Sequence, residues 1–287
     1  MDPSCHGTAV SAPVLTRFIV HLGRRSAFVA LAIVSATWCV VRYAVGRDGP
    51  YGGAGPAPHA APKDPGPPAR VSAPPPLRRL LLGGTVVGGV LSAFGSHWAL
   101  ALSSAWLPVY LRTELGFGAA RASVAVSSVS VLSLLLLLTV PALIDRRKRR
   151  GRAGGAVDGV AQGAAVLVSG AALALLPFAG RRPLPLVLIA GAFACHSVAL
   201  PVHSVTTAAV VPPARRGAVF GVVAATGTLP GMFVPFLTGH LVDGAASEAA
   251  GYSAAFLLSA VVPATCGAAA TVMIRPARDT RALGGEG

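Results

Sequence analysis

Six stretches of twenty or more residues, with no charge near their centres, follow one another in the second two-thirds of this sequence: roughly 80–110, 124–144, 157–178, 184–207, 218–242 and 253–274. A helix needs about 20 mostly apolar residues to cross the hydrocarbon core of a bilayer. In that solvent every backbone polar group must find its partner inside the segment, so these stretches can only be helices. A seventh candidate, 26–45, ends in Trp38 and Tyr43, aromatics suited to a membrane–water interface. The sequence therefore predicts an all-α, multi-pass integral membrane protein whose first partner is lipid.

Composition agrees and removes the main competitors. Charged residues make up 12% of the 287 residues, and hydrophobic residues 53%, whereas soluble domains carry about 25% charge. The net charge of +14 does not point to nucleic acid, because the basic residues lie in short clusters between apolar runs without stacking aromatics among them. The four cysteines, Cys5, Cys39, Cys195 and Cys266, have neither C-x-x-C spacing nor a histidine partner, so no metal site and no disulfide framework are indicated.

Charge also orients the chain. With the Pro/Gly-rich segment 46–79 placed on one side, that side collects 17 of the 24 Lys and Arg residues and the other side seven. The positive-inside bias then makes the linker and the C-terminus cytoplasmic or topologically equivalent. The domain plan is a remnant of a preceding span at 1–25, a helix at 26–45, the linker at 46–79, a six-helix unit at 80–274 and a tail at 275–287.

The chemistry available inside the spans is sparse. No acidic or basic residue lies mid-span, so no carboxylate there can relay protons or hold a cation, and no cation there can hold an anion. The motifs H-E-x-x-H, G-x-S-x-G and G-x-x-x-x-G-K-[ST] are all missing, which argues against an enzyme and requires no cofactor. What remains is His97, His196, His203 and His240, with Ser96, Ser103, Ser104, Thr206 and Thr207. An intramembrane histidine commonly hydrogen-bonds between helices. His97, between Ser96 and Trp98, has a second reading, as a group that titrates or donates to an anion. Gly217 to Gly221 and Gly227 to Gly231 are G-x-x-x-G spacings. With Pro235 and Gly239 they read as close helix packing or as a helix that deforms, and the two are compatible.

Several motifs, in order, carry a resemblance. They are Phe94-Gly95-Ser96-His97-Trp98, Trp106-Leu107-Pro108-Val109-Tyr110 and Glu114-Leu115-Gly116-Phe117, then Leu143-Ile144-Asp145-Arg146-Arg147. After these come Arg215-Arg216-Gly217, Phe220-Gly221 and Gly227-Thr228-Leu229-Pro230-Gly231-Met232, with Pro235 and Gly239. Together they resemble the seventh, eighth and eleventh helices of the anion:cation symporter family of the major facilitator superfamily. That family includes sodium/phosphate cotransporters, sialin, vesicular glutamate transporters and plant plastid anion transporters. Gly23-Arg24-Arg25-Ser26-Ala27-Phe28 resembles the opening of its sixth helix.

The resemblance implies a twelve-helix transporter of which this chain holds the C-terminal six-helix half and the helix before the central loop. It implies alternating access, a small anionic substrate (inorganic phosphate or an organic anion) and a coupling cation, sodium or proton. Ser96, His97 and Trp98 would face the substrate path, with Thr206 and Thr207 beside them. Asp145, Arg146 and Arg147 would form a gate or clamp, or serve only as topogenic charge. The missing N-terminal half, or a partner chain, would complete the site. The alternative is a non-transporting half-length subunit that associates through its Gly-rich faces. The family's polar stretch after the tenth helix is replaced here by Thr207-Ala208-Ala209-Val210-Val211-Pro212-Pro213.

Overall fold

The structure, a computed structural model, describes residues 26, 29–30, 32–44, 75–150, 156–180 and 183–284. The expected remnant at 1–25, most of the linker and the last three residues lie outside the described residues. The chain divides into two units, 1–72 and 73–287. In the first, α1 (Ala32–Ala44) is a largely apolar helix within the predicted segment 26–45.

The second unit is helical throughout its regular elements. A short α2 (Leu77–Leu81) leads into α3 (Gly84–Thr113), α4 (Ala119–Arg149), α5 (Ala156–Leu175), α6 (Leu184–Ala194), α7 (Ala199–Val210), α8 (Pro213–Thr228), α9 (Pro230–Asp243), α10 (Glu248–Met273) and α11 (Pro276–Gly284). The helices α6 with α7, and α8 with α9, each make one crossing. Six segments among the described residues are thus long and apolar enough to span a bilayer, and the chain is an integral, multi-pass membrane protein.

Two of these spans are broken, each for a reason in the sequence. Proline lacks the N–H that bonds the carbonyl four residues back, and its ring crowds that carbonyl. Pro201 acts on Ser197, and Cys195–Val198 winds as a tight 3-10 turn between α6 and α7. Pro230 separates α8 from α9, although Leu229 keeps helical dihedrals and the direction continues. At the far end, the α3–α4 turn passes through Gly116 at φ 63°, a left-handed conformation that glycine adopts without strain. Ser247 starts α10 by accepting the Ala250 N–H at 3.2 Å, an ordinary N-cap.

Close approach through glycine organises the packing. A Cβ on Gly163 would stand 2.5 Å from the Thr271 backbone nitrogen, and one on Gly170 at 2.5 Å from that of Ala264. Gly267 lies equally tightly against the Leu167 backbone. The pairing runs Gly159 with Ile274, Gly163 with Gly267 and Gly170 with Ala264, so α5 and α10 are antiparallel. Gly88 and Gly95 bring α3 against Ile274 and Pro263 of the same helix. In lipid there is little hydrophobic gain between helices, so this small-residue contact supplies association by packing. The central helix is α3, with 67% of its most apolar stretch buried. By contrast α4 buries only Ala122, Val129 and Ile144.

The ends are finished by polar contacts. Asp279 of α11 accepts the Thr85 backbone N–H at 2.6 Å, so a carboxylate distant in sequence satisfies the first turn of α3. Arg278 Nε donates to the other oxygen of Asp279 at 3.0 Å. Burial alone would raise the Asp279 pKa, but the Thr85 bonds and Arg278 outweigh it and hold it below the usual carboxylate range. At the opposite end, burial and then the charge of Glu248 push Glu114 above its ordinary value.

Replacement of Gly163 by Leu is expected to lower the melting temperature in detergent sharply, since overpacking against backbone costs roughly 1–3 kcal/mol or more. Gly221→Ala should leave the melting of this chain unchanged, because a Cβ there meets open space. The two carboxylates give opposite pH signatures. Asp279→Asn loses roughly 1 kcal/mol at neutral pH, a deficit that disappears as pH falls through the native Asp279 pKa. Glu114→Gln gains stability at neutral pH, and that gain vanishes as pH falls into the carboxylate range. Thermal melts between pH 3 and pH 8 read both.

Candidate functional site

Consecutive residues on a helix point about 100° apart, and this decides how α3 distributes the polar-aromatic patch. Ser96 turns toward the 3-10 turn before α7. Its hydroxyl donates to the His196 carbonyl oxygen at 3.0 Å and faces His196 Nδ1 at 3.0 Å, all buried. His97 is half-buried at the α3–α8 crossing, where Gly227 and Ala93 lie together. Trp98 is buried, edge-on to Phe233 of α9 with ring centroids 5.4 Å apart. The three neighbours in sequence thus serve three different helix contacts.

Trp98 Nε1 is a buried donor without a hydrogen-bond partner among the described residues, and His97 is the half-buried member with chemistry to offer. Its Nδ1 lies 2.8 Å from the Ala93 carbonyl oxygen, an acceptor only, so Nδ1 carries the hydrogen. A neutral His97 therefore presents Nε2 as an acceptor, and holding an anion at that nitrogen requires the imidazolium.

Thr206 and Thr207 sit in the α3–α7 seam and are buried. The Thr206 hydroxyl donates to the His203 carbonyl at 3.0 Å, and Thr207 Oγ1 lies 3.2 Å from His203 Nδ1. His203 itself packs on Gly89 of α3. The structure therefore joins Thr207, His203, Ser96 and His196 into one seam and leaves His97 on a different face.

The Trp106-Leu107-Pro108-Val109-Tyr110 motif acquires a concrete role. Trp106 and Tyr110, four residues apart, share a face of α3 and meet Tyr252 and Phe256, likewise four apart on α10. Trp106 Nε1 also donates to the Pro235 carbonyl of α9 at 3.1 Å, and its ring lies over Gly239. Gly227 and Gly239 are contact glycines, whereas a Cβ at Gly221 or Gly231 would meet nothing within 4 Å.

The charged cluster is arranged by helical spacing. Asp145 pairs with Arg149 (2.9 Å), four residues on, at an exposed position, where such pairs contribute little. Arg146 and Arg147 are exposed. Among the described residues, Lys148 pairs with Asp158 of α5 and so joins two helices, and neither residue belongs to the Asp145-Arg146-Arg147 motif.

Gln162 is the residue that sequence reasoning missed. It is the chain's one glutamine, and the chain has no asparagine. Fully buried in α5, its amide nitrogen bonds the Ser92 hydroxyl, which in turn donates to the Gly89 carbonyl. A lone amide in an apolar span was the available signal. Similarly, Gly159 and Gly163 have the same G-x-x-x-G spacing as the glycines singled out in α8 and α9. Among the described residues no group of three His, Cys, Asp or Glu side chains could hold a metal ion.

Ser96→Ala should leave the His196 ring without its hydroxyl partner and cost roughly 1–3 kcal/mol, read as a lower melting temperature. Trp106→Phe removes the bond to Pro235 and the part of the indole over Gly239, so it too should lower the melting temperature, at a cost of roughly 1–3 kcal/mol.

No family model matches the chain. It is similar to the protein named "Probable nitrate/nitrite transporter NarK2" of Mycobacterium tuberculosis, in strains CDC 1551 / Oshkosh and ATCC 25618 / H37Rv. In each case 31% of residues are identical over 242 residues, covering 83% of this chain and 54% of the relative. The chain spans about half the length of the curated relatives it matches.

Proposed function

We propose that this chain is the C-terminal six-helix half of a major facilitator-type transporter that moves a small anion across a membrane by alternating access. The observation that carries this is the similarity to a nitrate/nitrite transporter over 83% of the chain, together with six membrane-length helices. Nitrate and nitrite are small oxyanions, and they join inorganic phosphate and organic anions as the substrates to test. Under this proposal the substrate binds near the bilayer midplane, between this half and a second one. His97 meets it from the α3–α8 crossing, and the coupling cation is sodium or a proton.

The sparse charge of the spans fits a half-site. With no cation or carboxylate at mid-depth, anion attraction rests on His97 and on groups that the other half contributes. The open positions at Gly221 and Gly231, and the little-buried α4, give that half a surface to meet.

The test begins with the transcript upstream of the Met1 codon, followed by reconstitution of its whole product into proteoliposomes. Saturable uptake of labelled nitrate, nitrite or phosphate, dependent on an imposed sodium or proton gradient, is expected. His97→Ala should lower that uptake at least tenfold with melting temperature unchanged. If the message begins at Met1 and the 287-residue product transports none of these anions, the alternative of a non-transporting subunit replaces the proposal.

A further inference from the structure

Charge is distributed unequally between the two ends of the second unit. Of its fourteen described Lys and Arg residues, twelve belong to the end that holds the start of α3, the α4–α5 connection, the α7–α8 turn and α11. Three acidic residues share that end: Asp145 and Asp158, each paired with a basic side chain, and Asp279. The opposite end holds Arg112 and Arg121 against Glu114, Asp243 and Glu248 among the described residues. One leaflet therefore faces a strongly cationic collar.

Within that collar lies a groove of about 540 Å³, bounded by α2, the turn into α3, the end of α7 and α11. Its walls are mixed in a particular way. Leu80 and Val210 are its buried apolar lining, and Pro76, Leu82, Arg78 and Arg79 line it at exposed positions. Arg78 is exposed. Arg79 reaches across to α11, where its guanidinium donates to the Ala282 carbonyl at 3.4 Å, so the groove is closed on one side by a strap between two elements. The acid in the wall, Asp279, is already committed to the Thr85 N–H and to Arg278, so it presents little net negative charge to an incoming anion. The groove thus combines guanidinium groups with apolar side chains just before the first residue of the span α3.

We infer that this groove binds an anionic phospholipid, with the phosphate on Arg78 and an acyl chain along Leu80, Leu82 and Val210. A planar guanidinium offers a phosphate two parallel N–H bonds, which an ammonium cannot match. Basic pockets between membrane helices on the cation-rich side suit such headgroups. The apolar lining argues for a lipid over a free phosphate, which would gain nothing from those walls. The site is separate from the α3–α8 crossing and does not depend on the transport proposal.

The test uses the purified 287-residue chain in nanodiscs of phosphatidylcholine with increasing phosphatidylglycerol, read by thermal melting and by the lipids retained in native mass spectrometry. Phosphatidylglycerol should raise the melting temperature and be retained preferentially. Arg78→Gln should weaken that retention roughly fivefold, the effect of about one lost cation near an anionic surface. Arg78→Lys should restore it in part, and Arg150→Gln, in the same collar but outside the groove, should leave it intact. Comparison of retained lipids at equal folded fraction keeps the readout valid if a variant is less stable. The inference is overturned if phosphatidylcholine and phosphatidylglycerol are retained equally, if Arg78→Gln and Arg150→Gln behave alike, or if inorganic phosphate alone gives the same shift.

Discussion

The absence of water as a hydrogen-bond partner inside the bilayer is the constraint from which the rest of this structure follows. It forces helices, and it removes most of the hydrophobic drive that would press one helix on another in water. Association then depends on how closely backbones can approach. In this chain that approach is made by Gly159, Gly163, Gly170 and Gly267 between α5 and α10, and by Gly88, Gly89 and Gly95 on α3. Those contacts fix α3 as the central helix, and α3 carries the candidate site. The site is thus a consequence of the glycine packing, because the side chains that α3 offers to each neighbour are set by how it is wedged among them.

The polar residues divide into two jobs. One set is largely taken up by structure: Ser96 pairs with His196, Thr207 with His203, and Gln162 with Ser92, although Gln162 Oε1 and His203 Nε2 keep no hydrogen-bond partner among the described residues. The other is smaller. His97 stands half-buried at a crossing with its Nδ1 tied to the Ala93 carbonyl. The aromatic clamp of Trp106, Tyr110, Tyr252 and Phe256 belongs to neither set. It ties α3, α9 and α10 near one end while Asp279 ties α3 to α11 at the other.

Much of the architecture was legible because apolar length and charge placement are one-dimensional quantities. The six crossings of the second unit could be counted from runs without central charge, whereas the interruption at Pro230 was not foreseen. The break before α7 was harder to see, since the turn occurs at Cys195–Val198 and its cause, Pro201, lies beyond it. The candidate site was legible as a neighbourhood and not as a geometry. Ser96, His97 and Trp98 are adjacent in sequence, yet the 100° step sends them to the 3-10 turn before α7, to α8 and to α9. Gln162 was missed because attention to charged and histidine residues passed over a neutral amide.

The sequence alone determined that this chain crosses a membrane with helices and which end of them is cationic. Both follow from transfer free energies that depend on residue type and not on partners. Where proline interrupts a span was left to the tertiary structure, since Pro108, Pro141, Pro235 and Pro263 lie inside continuous helices. Tertiary structure decided which glycines are contacts, since Gly163 and Gly221 sit in the same motif and differ only in what stands opposite. It decided which ion pair joins two helices, Lys148 with Asp158 in place of the motif's Asp145. And it decided that His97 alone of its patch remains half-buried at a crossing, because rotation about the helix axis acquires meaning only once the neighbouring helices are in place.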